Sequence, residues 1–163
     1  MSSTRLDITP LYSEAFSTVA DVKVLVAANA TAFYPGEPVV RALGAATCTV
    51  MATNKPVVAT DYVVGIATSA STQTASVAGY AYVKPLSENQ VWLIDANDST
   101  AVDTQAEYDA LVGDRVLMDL TAGKYTLLTT DGATYGCVIV PLDITEHPGK
   151  IAFTFRNGCS PLS

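Results

Sequence analysis

Short runs of β-branched and aromatic residues follow one another along most of the chain, separated by polar turns. Glycine, proline or Asn-Asp clusters interrupt these runs roughly every eight to twelve residues, a spacing that is typical of an all-β barrel or sandwich. The pattern predicts strands at residues 23–27, 38–43, 47–52, 63–67, 77–84, 91–95, 115–120, 125–129, 136–143 and 150–155.

Four short segments have the composition of tight turns. Residues 35–40, PGEPVV, predict a turn that leads into a strand, and Ser87–Gln90 predicts a turn between two strands. Ala122-Gly123 and Asp131-Gly132 are typical of the centre of a β-hairpin, because glycine readily adopts the left-handed backbone conformation that such turns require. Hairpins are therefore expected at both positions.

One α-helix is predicted, at residues 104–112. Thr104 and Glu107 fit the capping box, in which each side chain accepts a hydrogen bond from the other residue's backbone N–H. The apolar side chains that helical spacing places on one face are Tyr108, Leu111 and Val112. Gly113 supplies the left-handed residue that commonly ends a helix.

The chain divides into three predicted parts. Residues 1–20 form an N-terminal arm, either extended or with a helical turn after Thr9-Pro10. Residues 21–96 form a β-rich lobe, and residues 97–163 form a second, acidic β lobe that contains the helix. The expected fold is therefore mainly β, a small barrel or β-sandwich with one short helix and a second small β lobe.

Charge is sparse and unevenly distributed. Only 15% of the residues are charged, and the net charge is −7. Residues 91–163 contain four basic and ten acidic side chains, a net charge of −6, so the first ninety residues are nearly neutral. Nucleic acids and anionic membranes bind clusters of lysine and arginine, and we expect neither as a partner.

No basic segment leads into a long apolar run at the N-terminus, so we expect synthesis in a cytoplasm.

Candidate catalytic groups are few and scattered. The single histidine, His147, lies in a Pro-Gly turn without a nucleophile motif. The three cysteines are Cys48, Cys137 and Cys159. They share no short spacing, so we expect buried free thiols and no zinc site. Glu107, Asp109 and Asp119 are acids of the kind that hydrolyse glycosides, but Glu107 is assigned to the capping box. We expect neither an enzyme nor a cofactor.

The acidic segment 95–103, DANDSTAVD, has two interpretations. The side-chain oxygens that suit Ca²⁺ belong to Asp95, Asn97, Asp98, Thr100 and Asp103. The segment lacks the central glycine and the final glutamate of an EF-hand. The same residue types form turns and cap helix N-termini, because their oxygens accept backbone N–H bonds. The turn-and-cap interpretation is favoured over the calcium site.

Three segments of the first half follow a recurring order, Gly36-Glu37-Pro38-Val39, then Val64-Gly65-Ile66-Ala67, then Gly79-Tyr80-Ala81-Tyr82-Val83. This order resembles the head decoration (cement) proteins of tailed bacteriophages, and the resemblance covers about residues 33–95. It implies a β-tulip-like lobe that assembles as a homotrimer on the capsid exterior of the virion. There it would bind the major capsid protein and stabilise contacts between neighbouring capsid subunits.

The resemblance also suggests a role for the central stretch 63–86, in which Lys84 is the one formally charged residue. Val63–Ala67 and Ala78–Val83 would be strands that face the core or another subunit, and Thr68–Ser76 would be a flexible loop between them. The alternative is an ordinary monomeric β-core.

Candidate interface residues are apolar or aromatic positions, which often dominate protein interfaces. They are Leu11, Tyr12 and Phe16 on the arm, and Phe33, Tyr34 and Pro35 at a loop edge. Phe33–Pro35 has an alternative interpretation as a hydrophobic plug at the end of a barrel. Other functions left open are another β-rich virion component, such as a head fibre, neck or tail protein, and a carbohydrate-binding β module.

Overall fold

In a computed structural model, the chain forms short antiparallel strands and one α-helix. The structure describes residues 9–10, 20–86, 90–156 and 159. Within these residues the elements are β1 (Thr9–Pro10), β2 (Val22–Val26), β3 (Pro38–Ala42), β4 (Thr49–Val50), β5 (Asp61–Ala67), β6 (Gly79–Pro85), β7 (Trp92–Asp95), α1 (Gln105–Leu111), β8 (Arg115–Val116), β9 (Met118–Thr121), β10 (Lys124–Leu127), β11 (Cys137–Ile139) and β12 (Lys150–Phe155). A 3-10 turn at Ser99–Val102 precedes α1. The predicted mainly β fold with one short helix is confirmed.

The first sheet has the strand order β2-β6-β5-β3-β4, with antiparallel neighbours throughout. It curls until β2 approaches the segment before β4. There Val26 and Cys48 form a single parallel bridge, and the Cys48 N–H donates to the Leu25 carbonyl at 2.8 Å. Among the described residues no further pairing joins these two outer strands. The barrel alternative is therefore wrong, because the curled sheet does not close.

Alternation along the strands fills the inside of this curl. The side chains buried there are Val24, Val26, Phe33, Val39, Cys48, Ala67, Ala81 and Val83. In β2, for example, Val24 and Val26 point inward while Lys23 and Leu25 are exposed, as the two-residue period of a strand requires. This smaller core belongs wholly to the first sheet and the loops attached to it.

Gly65 allows β5 and β6 to approach each other closely. A Cβ atom at this position would collide with the backbone carbonyl oxygen of Lys84 and would lie 2.6 Å from Cγ1 of Val83. The pairing of β5 with β3 is also irregular here, since the register shifts between Val39 and Val40. A side chain at position 65 would therefore push two neighbouring strands apart.

The loop Thr68–Ser76 was expected to be flexible, but its hydroxyl groups bond to the backbone of β6. The Tyr82 N–H donates to Ser69 Oγ at 2.9 Å, and the Tyr80 N–H donates to Thr72 Oγ1 at 3.0 Å. The Thr72 N–H donates to the Tyr80 carbonyl at 3.0 Å. The loop therefore continues the β5–β6 pairing through side-chain oxygens.

The second sheet has the strand order β1-β7-β12-β11-β8, also antiparallel, and β9 and β10 form a separate hairpin. Thr9–Pro10 of the predicted arm is thus a strand of this chain's own sheet. The sheets change between β6 and β7, before residue 96. The division into lobes at 96/97 stays a prediction.

The turn at Ala122-Gly123 is confirmed, with φ of 51° and 80° between paired β9 and β10. The hairpin at Asp131-Gly132 is wrong, because β10 pairs with β9 whereas β11 pairs with β8 and β12. Asp131 instead accepts hydrogen bonds from the backbone and side chain of Arg115. An ion pair of distant residues thus determines the conformation there.

The larger core combines side chains from both halves of the sequence. Its members from the first half are Val40, Met51, Val63, Ile66 and Leu86. They pack against fully buried residues of the second half, which include Tyr125 and Phe153. The Tyr125 hydroxyl donates to the Met51 carbonyl at 2.7 Å, so a buried hydrogen bond also connects the halves.

Helix α1 matches its prediction at the N-terminal end. Thr104 and Glu107 form the capping box, and Gly113 has a φ of 94° beyond the last turn. Tyr108 is fully buried, and its hydroxyl donates to the Val140 carbonyl at 2.7 Å. Val112 was expected on the same buried face, but it is exposed because its backbone is already extended.

The close approach at Gly65 gives a stability prediction. We expect Gly65→Ala to lower the free energy of unfolding by about 3 kcal/mol, because the added methyl group collides with backbone. The control is Gly44→Ala, whose Cβ meets nothing within 4 Å but whose φ of +80° makes alanine unfavourable. Gly44→Ala should lower the free energy of unfolding by only about 1 kcal/mol. Urea unfolding of both variants checks this, and equal losses would contradict the proposed collision.

The Arg115–Asp131 ion pair gives a prediction for pH. Hydrogen bonds from Arg115 lower the pKa of Asp131 to about 2. Because this value lies below the ordinary one, the pair stabilises the fold above about pH 4 and loses its effect as the pH falls toward 2. NMR titration should show the low pKa, and Arg115→Gln should raise it toward the ordinary value of about 3.9, with the backbone hydrogen bonds to Asp131 holding it partly below. An unchanged pKa in the variant would contradict this assignment.

Candidate interaction surface

Asp95, the first acid of the segment 95–103, is engaged by two lysines. Its carboxylate lies 2.6 Å from Lys124 Nζ and 2.7 Å from Lys150 Nζ. Partial burial opposes ionisation of Asp95, but the hydrogen bonds and charges of the two lysines outweigh it and lower the pKa. Both carboxylate oxygens are therefore occupied by cations of the protein itself.

The next polar residues of this segment serve the backbone and a neighbouring hairpin. Asp98 caps the 3-10 turn and accepts from the Thr100 hydroxyl at 2.7 Å and the Thr100 N–H at 3.0 Å, which lowers the pKa of Asp98. Asn97 Nδ2 donates to Asp119 Oδ2 at 3.1 Å and to Thr126 Oγ1 at 3.3 Å. These contacts agree with the turn-and-cap interpretation.

Asp103 and Glu107 lie side by side at the start of α1. A hydrogen bond that the Asp103 carboxyl donates to Glu107, together with the negative charge of Glu107, raises the pKa of Asp103, and the same hydrogen bond lowers the pKa of Glu107. Glu107 also accepts from the Thr104 N–H at 3.1 Å. The capping box thus uses Glu107, as the sequence predicted.

The other candidate catalytic groups remain apart. His147 lies half-buried in a turn, where its backbone N–H donates to the Ile144 carbonyl at 3.2 Å. Asp109 accepts from Gln105 Nε2 at 2.7 Å on the surface of α1. Within the part of the chain that the structure describes, no group of three His, Cys, Asp or Glu residues is placed to hold a metal ion.

The three cysteines are buried free thiols, as expected. Burial raises the pKa of Cys48, and it raises that of the fully buried Cys137 strongly. Burial, together with the negative charge of Asp61, raises the pKa of Cys159 to about 11. A thiol acts as a nucleophile only as the thiolate, so these side chains are chemically inert at neutral pH.

Two open depressions flank α1, with volumes of about 590 and 510 Å³. The larger is lined by residues such as Val102, Asp103, Ile144 and Pro148, and the smaller by Pro141 and its neighbours. Among the described residues, no aromatic side chain lines either of them. A flat aromatic face on which a sugar ring could stack is therefore missing from both.

Exposed apolar side chains concentrate in the first half of the chain. Among the described residues, the large hydrophobic side chains exposed there are Val22, Leu25, Tyr34, Leu43, Val77 and Tyr82. The second half contributes only Val112 to this set of exposed large hydrophobic residues among the part described. The nearly neutral half therefore presents the surface on which burial against another protein would be most favourable.

The outer face of β2 and β6 carries two of these side chains, Leu25 and Tyr82. Leu25 is 59% exposed and Tyr82 is 43% exposed. Lys23 Nζ lies 3.9 Å from the centre of the Tyr80 ring, and the Tyr80 and Tyr82 rings meet edge to face at 5.8 Å. Ala78–Val83 was predicted to face the core or another subunit, and within it Ala81 and Val83 are buried whereas Tyr82 is exposed.

The predicted interface residues differ in their exposure, and some of them lie outside the described part of the chain. Leu11, Tyr12 and Phe16 lie outside the described residues. Phe33 is fully buried in the smaller core, so this chain offers no surface of Phe33 to a partner. Tyr34 is 38% exposed beside the half-buried Pro35.

The sequence also gave no sign of a cavity where the first sheet fails to close. We call this gap the seam. It lies between β2 and residues 46–48, and its cavity has a volume of about 280 Å³. Its lining residues are Val22, Lys23, Val24, Leu25, Arg41, Ala46, Cys48, Tyr62 and Val64.

Comparison with protein-family models, with curated proteins and with solved structures finds no match for this chain. In the part that the structure describes, no helix has the length and apolar composition needed to cross a membrane.

The contacts of segment 95–103 give a prediction for calcium. Because Asp95 and Asp98 are already engaged, millimolar calcium or a chelator should leave the thermal unfolding midpoint unchanged. A calcium site would add about 4 kcal/mol to the free energy of unfolding when free calcium is at a thousand times its dissociation constant. Differential scanning calorimetry measures the midpoint. A calcium-dependent rise that Asp98→Asn abolishes would restore the metal interpretation.

Proposed function

We propose that this chain is a structural virion protein that binds the outer surface of a phage capsid as a homotrimer. It would stabilise the contacts between major capsid subunits and catalyse no reaction. The observation that carries the proposal is the concentration of exposed apolar side chains on the nearly neutral first half. This is the half whose sequence resembles phage decoration proteins.

The positions of the resembling segments support the proposal. Pro38 and Val39 begin β3, Val64–Ala67 lies in β5, and Gly79–Val83 lies in β6. These three strands are neighbours in the first sheet. The segments thus form one continuous structural unit, as expected if they derive from a shared fold.

The surface chemistry also suits a stabilising role. Leu25, Tyr34 and Tyr82 carry no charge of their own at neutral pH, so burying these side chains does not incur the cost of removing their charge from water. Each square ångström of apolar surface that is buried contributes about 25 cal/mol. A protein that contacts two capsid subunits at once binds only their assembled form. It therefore shifts the equilibrium toward the assembled capsid.

The partners of the candidate catalytic groups are consistent with this function. The thiols have raised pKa values, and Asp95 and Glu107 are engaged in ion pairs and capping. The depressions beside α1 lack aromatic side chains, which does not favour the carbohydrate-binding alternative. A different virion component, such as a neck or tail protein, would instead form a hexamer or a larger ring.

Light scattering behind a sizing column tests the oligomeric state. We expect the mass of a trimer from the purified chain, unaffected by a chelator. Co-sedimentation with capsids that lack the protein then tests binding. Tyr34→Ala should reduce capsid occupancy about tenfold if Tyr34 is an anchor of the interface.

The matched control is Val112→Ala, which removes a similarly exposed apolar side chain from the second half. It should leave the mass and the occupancy unchanged. A hexamer would contradict the decoration function in favour of a ring component. A chain that never binds capsids but shows a sugar-dependent thermal shift would support the carbohydrate-binding alternative.

A further inference from the structure

The seam leaves one edge of β2 open. The Leu25 carbonyl accepts from Cys48 and therefore points away from β6. Because the backbone groups of alternate strand residues point to the same side, the N–H and carbonyl groups of Lys23 also face the seam. Tyr82, which lies opposite Lys23, bonds through its N–H and carbonyl to Ser69 and Thr68 on the far side of β6, and among the described residues no backbone hydrogen bond outside the strand pairings reaches Lys23.

An apolar cavity lies beside this open edge. Val22, Val24 and Val64 contribute to its walls, and the exposed Ala46 stands at its opposite border. Its volume of about 280 Å³ is at the lower end of the range for ligand pockets. The cavity is thus suited to a single apolar side chain rather than to a large cofactor.

The two cations of the seam, Lys23 and Arg41, differ from most other described cations in their partners. The lysines and arginines of the described residues that pair with a carboxylate are Lys55, Lys84, Arg115, Lys124 and Lys150. Arg156 donates to two backbone carbonyls. In the part described, Lys23 and Arg41 pair with no carboxylate, and both line the seam. Each contacts a tyrosine ring, Arg41 that of Tyr62 at 5.9 Å.

We propose that the seam binds an extended segment of a partner protein that carries a carboxylate side chain next to an apolar one. The segment pairs with the open edge of β2 through its backbone, as in β-strand addition. Its apolar side chain enters the cavity, and its carboxylate meets Arg41, with Lys23 beside it. The proposal specifies the kind of segment through which the partner binds. Only the identification of that partner as a capsid protein rests on the proposed function.

The free backbone groups favour a polypeptide over a small molecule. An open strand edge offers N–H and carbonyl groups at the spacing of another strand, and a peptide can satisfy both. The unpaired cations favour an acidic sequence, since most of the other described lysines and arginines of this protein already pair with a carboxylate.

Two blocked pentapeptides serve as probes, one with the sequence Val-Glu-Val-Glu-Val and one with lysine in place of glutamate. Each is titrated into isotopically labelled protein and followed by NMR. We expect the glutamate peptide to shift the amide signals of Lys23 and Leu25 and the side-chain signals of Arg41. The lysine peptide should bind at least about tenfold more weakly.

Three variants sharpen the test. Arg41→Gln should weaken binding of the glutamate peptide about tenfold, and Ala46→Phe should abolish binding by blocking the cavity from its exposed border. Arg115→Gln is the control, because it removes an arginine that already has an acidic partner, and it should leave binding unchanged. Unchanged thermal midpoints and amide spectra outside the seam establish that the variants fold.

Equal binding of both peptides, shifts confined to another surface, or no binding at millimolar peptide would overturn the proposal. So would a native mass that falls in Arg41→Gln, because a second copy of the chain would then occupy the seam. Peptide binding by a protein that never binds capsids would uphold the seam and reject capsid decoration. Capsid occupancy that survives both Arg41→Gln and Ala46→Phe would uphold decoration and reject the seam.

Discussion

The structure depends on the burial of first-half side chains in the core of the second sheet. The side chains of Met51, Val63 and Ile66 project from one side of the curled first sheet. They pack in the same core as residues such as Phe153. The Tyr125–Met51 hydrogen bond satisfies a buried carbonyl within the same contact. This shared core covers the outer face of the first sheet at β3 and β5, whereas the outer face at β2 and β6 and the incompletely closed edge are left exposed.

The same arrangement determines how the acidic side chains of the second half are used. In the second half, where most of the excess negative charge lies, Asp95 neutralises Lys124 and Lys150, and Asp131 pairs with Arg115. The acids therefore hold loops and strands together. In the first half, curling places two cations where no described carboxylate reaches them. Among the described residues, most exposed large hydrophobic side chains thus lie in the nearly neutral half, together with these two cations.

A flat, sparsely charged β surface and an open strand edge provide two different kinds of contact. The surface around Leu25 and Tyr82 supplies apolar area, which is non-directional. The seam supplies directional hydrogen bonds and a defined charge requirement. A capsid-binding protein benefits from both, since area contributes affinity whereas the polar edge selects the partner.

The sequence by itself determined the local features of this protein. The positions of most strands, the capping box of α1 and the turn at Ala122-Gly123 all follow from alternation or from hydrogen bonds between residues close in the chain. Only the tertiary structure decided the burial of Phe33, the role of Asp131 and the existence of the seam. Each depends on how far a sheet curls and on which distant residue then becomes a neighbour, and a two-residue period carries no information about either.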